Sequence, residues 1–113
     1  MRKYHAGNER LKRRYEQYLR EAKGQDEKSI DKVRAALVKF EECTKYKPFK
    51  AFHIDHARQF KDALSRAKTA HGKPLSLTTT DATLRLVKVF FQWLAGQQGF
   101  KKVVTYADVE YFN

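Results

Sequence analysis

The stretch TTTDATLRLVKVFFQWLAGQQGF, residues 78–100, constrains the fold of this chain more than any other segment. At helical spacing its apolar residues form two adjacent rows: Leu84, Val87, Phe91 and Leu94 in one, and Leu86, Phe90 and Trp93 in the other. A helix with so wide an apolar arc has to be covered on most sides by other helices. The stretch therefore predicts the central helix of a bundle, with a narrow polar edge at Asp81, Arg85 and Lys88.

The first of three preceding amphipathic helices is predicted from Asn8 to Lys23. Asn8 is the expected N-cap, and Gly24 is the expected stop signal. The apolar stripe that recurs at helical spacing consists of Leu11, Tyr15, Tyr18, Leu19 and Ala22. Lys12 lies off this stripe, together with Arg13, Arg14 and Arg20.

The next two helices are separated by a loop that contains Pro48. The second is predicted from Asp26, its cap, to Thr44, and its buried face consists of Ile30, Val33, Leu37, Phe40 and Cys43 or Thr44. The third begins near Asp55, with Ile54 ahead of it as a hydrophobic staple, and ends before Gly72 and Pro74. For the central helix, the cap is Ser76 or Thr78, and Thr78 with Asp81 fits a capping box.

These segments predict an all-α, four-helix bundle in one domain over residues 8–98. Residues 1–7 form a short lead. Residues 99–113 are expected to be an extended C-terminal linker, with a possible short strand around 102–106. An ending rich in exposed aromatic residues favours a connector toward a further domain.

Charge is the strongest compositional clue to function. The chain has 24 Lys and Arg residues against 13 Asp and Glu residues, a formal net charge of +11. A basic domain of this size is typical of proteins that bind a polyanion, above all nucleic acid. Cys43, the single cysteine, cannot form an internal disulfide, which favours the reducing cytoplasm. We expect neither a signal peptide nor a membrane span.

Motifs for catalysis are weak. His53 and His56 have the i, i+3 spacing of a metal-binding pair, with Asp55 between them, but no third ligand has a useful spacing. Cys43 lies on the apolar side of its helix and is expected to be a small buried hydrophobe. No Gly-rich phosphate loop, nucleophile elbow or zinc-protease motif is present. We therefore expect no catalytic residue, metal or cofactor.

The basic residues are better organised. One stripe on the second helix contains Lys28, Lys32 and Lys39, and another on the fourth contains Arg85 and Lys88. Lys45, Lys47 and Lys73 lie in the adjoining loops, and Thr78, Thr79 and Thr80 lie at the N-terminus of the fourth helix, where hydroxyls and free N–H groups suit a phosphate. These residues are the predicted DNA-contacting set. Arg85, Thr79 and Lys32 are the residues whose types best suit base edges.

The order of segments YEQYL, SIDKVRAALVKFEEC, FHIDHARQFKDALSRAK, GKPLS and TLRLVKVFFQWLAGQQGF resembles the N-terminal core-binding domain of tyrosine recombinases, the phage-integrase family. The resemblance implies a SAM-like bundle of orthogonally packed helices that clamps one face of a recombination site, with its second and fourth helices toward the major groove. It implies that the catalytic domain lies C-terminal to this one. The implied partners are double-stranded DNA and other recombinase subunits, and no membrane.

Two alternatives remain open at this stage. A helical interaction module could dock its basic face on an acidic protein partner, with little dependence on duplex DNA. A small enzyme could use His53, His56 and Cys43, and bound zinc or iron would support it.

Overall fold

The computed structural model describes residues 5–68 and 71–112, and this part of the chain is helical. The α-helices are α1 (Ala6–Glu21), α2 (Glu27–Cys43), α3 (Ile54–Arg66), α4 (Leu77–Ala95) and α5 (Tyr106–Val109). Two 3₁₀ helices cover Phe49–Ala51 and Glu110–Phe112. The only strand-like pairing in these ranges is an isolated bridge between Lys68 and Pro74. The all-α class is confirmed, with five helices instead of four.

The wide apolar arc of α4 makes it the central helix, as predicted. Val87, Phe90, Phe91 and Leu94 are fully buried. The ring of Phe91 lies 5.1 Å from that of Phe40 on α2, and Phe90 lies 5.1 Å from Tyr15 on α1, so α4 packs against both helices. Among the helices of residues 5–68 and 71–112, none combines the length and the apolar character needed to cross a bilayer.

The start of α1 differs from the prediction. His5 is the N-cap, and its Nδ1 accepts the Asn8 N–H at 3.2 Å. Asn8 lies inside the first turn and is buried. Its Nδ2 donates to the Lys47 carbonyl at 2.9 Å, and its Oδ1 accepts the Phe49 N–H at 2.9 Å. The Asn8 side chain therefore forms hydrogen bonds with backbone groups of the loop after α2. These bonds prevent Asn8 from capping its own helix.

Lys12, which lies off the predicted apolar stripe, is nevertheless buried. Its side chain is only 9% exposed, and its Nζ contacts Glu41 on α2 and, at 2.8 Å, Glu9 on its own helix. The side chain of Asn8 also donates to Glu41, at 3.4 Å. Burial by itself lowers the pKa of Lys12, but the hydrogen bonds and charges of Glu41 and Glu9 outweigh burial and raise that pKa above its ordinary value. A charge-paired lysine therefore takes a core position that an apolar stripe does not reveal.

The remaining caps are correct in part. Asp26 caps α2 as predicted, accepting the Ser29 N–H at 2.9 Å. Ser76 caps α4 by accepting the Thr79 N–H at 3.1 Å, so Thr78 is not the cap and the box with Asp81 does not form.

Helix α3 begins one residue earlier than predicted. Ile54 is its first residue and not a preceding staple, because His53 is the N-cap. The His53 ring accepts the Asp55 N–H at 3.1 Å, and the His56 ring accepts the His53 N–H at 3.2 Å. This reciprocal pair satisfies backbone donors that a helix start leaves open.

The expected extended linker after residue 98 does not form. Val104, Val109 and Phe112 are at most 1% exposed, and the Phe112 ring stacks on Phe91 at 5.4 Å. Thr105 caps the short α5, with its hydroxyl accepting the Asp108 N–H at 3.1 Å. Residues 100–112 therefore belong to the same hydrophobic core as the four longer helices, because burying their apolar side chains is more favourable than leaving them in water. Whether the chain leads on to a catalytic domain stays a prediction.

Candidate nucleic-acid interface

The predicted stripe on α2 lies on the side of the helix that faces away from the core. Lys28, Lys32 and Lys39 are all exposed, whereas Ile30, Leu37 and other residues of the opposite side are buried. None of the three lysines forms a salt bridge with another described residue. Their ammonium groups are therefore available to an external anion.

The loop after α2 presents two more of the predicted lysines. Lys45 and Tyr46 adopt left-handed backbone conformations, with φ values of 57° and 62°. The Tyr46 N–H donates to the Glu41 carbonyl at 2.8 Å, which ends α2 sharply. Non-glycine residues in this region cost about 1 kcal/mol or more each, so the turn is held by its surroundings. Lys45, within the turn, and Lys47, directly after it, are both exposed. Neither forms a salt bridge with a described residue.

The stripe on α4 borders a shallow cavity of about 240 Å³. Arg85 is exposed and Lys88 is half-buried, and both line the cavity with Asp81, Leu84 and Phe112. The structure therefore brings Arg85 and Lys88 together. It also places the carboxylate of Asp81 beside them, which reduces the positive potential at this edge.

The N-terminus of α4 offers less to a phosphate than the sequence suggested. Thr78 and Thr79 are exposed and Thr80 is half-buried. The Thr79 N–H donates to the Ser76 hydroxyl, and the Thr80 N–H donates to the Ser76 carbonyl at 3.0 Å. A phosphate here would therefore meet the N–H groups of Leu77 and Thr78, with the exposed Lys73 in the preceding loop.

The two basic stripes open onto different grooves. On α2, Lys39 lines a groove of about 400 Å³ with Cys43 and, from α3, Phe60 and Leu64. The Arg85 cavity is instead bounded by α4 and Phe112. That the stripes combine into one surface shaped to a double helix stays a prediction.

Three carboxylates pair with two arginines elsewhere, at what we call the acid–base seam between α1 and α2, formed by Glu16, Arg20, Glu27, Asp31 and Arg34. Arg34 contacts Glu16 at 2.6 Å and Asp31 at 2.9 Å, and Arg20 contacts Glu27 at 2.7 Å. The hydrogen bond from Glu16 raises the pKa of Arg34, and that from Glu27 raises the pKa of Arg20. These carboxylates are therefore not placed to neutralise the lysine stripe.

His53, His56 and Cys43 have structural roles that account for them. The histidine Nδ1 atoms accept backbone N–H groups in the α3 cap. Burial, followed by the charges of Lys47 and His53, lowers the pKa of His56. Burial raises the pKa of the half-buried Cys43 thiol, the opposite of what activates a nucleophile. Within residues 5–68 and 71–112, no group of three or more His, Cys, Asp or Glu side chains is arranged to hold a metal ion.

Sequence reasoning missed one further basic site, which we call the α1 groove. It is lined by Gly7, Arg10, Leu11 and Arg14 of α1, by Pro48–Lys50 and by Phe100. The α1 residues of this groove have the i, i+3, i+4, i+7 spacing that places side chains on one face of a helix. No local pattern connects that face with Lys50 or Phe100.

Comparisons with known protein families, with curated proteins and with solved structures found no match for this chain. A function consequently has to be supported by the fold and by the positions of its charged side chains.

Proposed function

We propose that this chain is a non-catalytic domain that binds double-stranded DNA, the core-binding domain of a tyrosine recombinase. One observation carries the proposal: seven of the basic residues predicted to contact DNA are exposed and form no salt bridge with a described residue. They are Lys28, Lys32, Lys39, Lys45, Lys47, Lys73 and Arg85. A net charge of +11 supports the same conclusion.

Binding would depend mainly on the phosphate backbone. Each lysine that neutralises a phosphate releases condensed counterions, so affinity falls steeply as salt rises. Lys28, Lys32 and Lys39 repeat along one side of a helix and can follow a phosphate backbone. Lys32, Thr79 and Arg85 are the residues proposed to read base edges. By itself the domain would bind weakly, because the catalytic domain that completes the clamp would contact the opposite face.

The proposal assigns no catalytic role to the exposed tyrosines. Tyr106 is 68% exposed at the start of α5. Tyr111 packs its ring against the guanidinium of Arg58, with 5.0 Å from Cζ to the ring centre, which gives it a packing role. We propose cytoplasmic localisation on the basis of the single unpaired cysteine, with other recombinase subunits as partners on DNA.

A titration of labelled duplex DNA, followed by fluorescence anisotropy at two salt concentrations, tests the proposal. We expect Lys32→Glu with Arg85→Glu to abolish binding while the far-ultraviolet circular dichroism spectrum stays unchanged, because both side chains are exposed. The matched control is Arg13→Glu with Lys23→Glu, which changes net charge equally at two other exposed positions.

The comparison of the two double variants decides between a face and a general charge effect. Retained affinity in Lys32→Glu with Arg85→Glu would refute the proposed face. Equal losses in both variants would show that binding follows net charge alone. Failure of the wild-type protein to bind duplex DNA at low salt would refute the DNA-binding function itself.

A further inference from the structure

We infer that the α1 groove binds an acidic peptide segment of a partner protein, with one large apolar side chain of the peptide seated in the groove. The groove has a volume of about 400 Å³, within the usual range for ligand pockets. It lies at the start of α1 and is bounded by the loop that follows α2 and by the loop that follows α4. None of the proposed DNA-contacting residues lines this groove, although Lys47 directly precedes Pro48.

The floor of the groove is apolar. Leu11 is half-buried, and Pro48, Phe49 and Phe100 complete the surface. Phe49 is 2% exposed and Phe100 is 6% exposed, so the accessible part of the floor comes mainly from the exposed Pro48 and the half-buried Leu11. Such a floor suits an apolar side chain that gains from being removed from water.

The rim of the groove is cationic. Arg10, Arg14 and Lys50 line it, and none of the three forms a salt bridge with a described residue. Arg14 donates to the Gln97 side chain at 3.3 Å, which holds its guanidinium toward the loop after α4. The Lys50 ammonium lies 5.6 Å from the centre of the Phe100 ring, so one cation stands directly over the apolar floor.

Gly7 contributes to the open shape of the groove. A Cβ atom at this position would lie 3.0 Å from His5 Cε1 and 3.9 Å from Arg10 Nη2. The Arg10 guanidinium therefore extends back over Gly7, beside the groove and not away from it. Among the described residues that line the groove there is no carboxylate to neutralise this rim.

Charge complementarity identifies the occupant. An apolar anchor flanked by carboxylates would place its side chain on the floor and its charges on the rim, the usual arrangement of an interface hot spot. Residues 1–4 of this chain include Arg2 and Lys3, which have the same sign of charge as the rim and are disfavoured as the occupant. The rim cations could also pair with phosphates, but duplex DNA is disfavoured because it offers no flexible apolar side chain to bury on the floor.

A labelled short peptide with one Phe flanked by Glu residues on both sides, titrated with the wild-type protein, tests the inference. We expect saturable binding, and we expect at least a tenfold loss when the Phe is replaced by Ala. We also expect Arg10→Glu with Arg14→Glu to weaken binding by about tenfold or more. Arg13→Glu with Lys23→Glu, equal in charge change, should leave the affinity within about twofold.

Each outcome is decisive. Absence of peptide binding, insensitivity to the Phe→Ala replacement, or equal losses in the two double variants would overturn the inference. Loss of duplex DNA binding in Arg10→Glu with Arg14→Glu, without peptide binding, would assign the groove to nucleic acid and overturn it as well. Failure of the Lys32 and Arg85 variants to affect DNA binding would refute the proposed DNA face and leave the peptide site standing.

Discussion

The charged residues on the two sides of α2 are arranged in opposite ways. The side that faces α1 carries the acid–base seam, in which Arg34 pairs with Glu16 and Asp31. The side with Lys28, Lys32 and Lys39 is exposed and forms no salt bridge with a described residue. One helix therefore uses charge to join two elements along one side, and along another it presents lysines without salt bridges to described residues, with Glu42 beside Lys39 in the groove toward α3.

The difference shows that the net charge of the chain is unevenly distributed. In the seam, the three carboxylates of Glu16, Glu27 and Asp31 face the two guanidiniums of Arg20 and Arg34, a sum of −1. The positive excess must therefore lie elsewhere, and the lysine stripe is one of its locations. Repulsion among neighbouring lysines disfavours the compact state. An anion bound at the stripe would relieve it.

The largest expected effect comes from the buried contact between Lys12 on α1 and Glu41 on α2. Lys12→Met should lower the free energy of unfolding by about 3–5 kcal/mol, because Glu41, which is 1% exposed, would lose its cation in the core. Urea denaturation followed by circular dichroism measures the change. The double variant Lys12→Met with Glu41→Leu should recover part of the loss. A loss below about 1 kcal/mol in the single variant would mean that water reaches Glu41.

High pH should weaken the buried side of α1. Burial raises the pKa of Tyr15 from 10.0 to about 12. Because the folded pKa is the higher one, its stabilisation is complete below pH 10 and is lost as pH rises to 12, about 2–3 kcal/mol in all. The raised pKa of Lys12 acts with the same sign. Unfolding curves measured between pH 9 and 12 should therefore show a shallower loss in Tyr15→Phe; parallel losses in both proteins would contradict the assignment to Tyr15.

The smallest expected effect comes from two single substitutions that compare the two sides of α2. Arg34→Ala should cost at most about 1 kcal/mol, because Arg34 is itself 45% exposed and Glu16 keeps Arg20 at 3.6 Å, and it should leave DNA affinity unchanged. Lys32→Ala should leave stability within about 0.5 kcal/mol and reduce the slope of log affinity against log salt by about 0.9. Parallel urea and DNA titrations measure both variants. If the two variants affected stability and binding alike, the distinction between the two sides would be lost.

Sequence patterns predicted the elements of this fold better than their connections. The wide apolar arc of α4 identified the central helix, Asp26 was recognised as a cap, and Ser76 was one of two candidate caps, because these signals act within a few residues. The burial of Lys12 was not predicted because its partner Glu41 lies 29 positions away in the sequence. The C-terminal segment was misread because α5 has only four residues, too few to show a helical period.

The candidate site was predictable to a similar degree. The lysine stripe on α2 follows from spacing within one helix, and its exposure agrees with the prediction. Free N–H groups at Thr79 and Thr80 were expected, but Ser76 accepts both. The α1 groove was missed because three segments, separated along the chain, bring Arg10, Lys50 and Phe100 together.

The stacking of Phe112 on Phe91 has a mechanical consequence. The Phe112 ring also lies 5.8 Å from that of Phe40 and 5.9 Å from that of Phe52. A pulling force applied at Phe112 would therefore be transmitted directly to the aromatic core through its contacts with Phe40, Phe52 and Phe91.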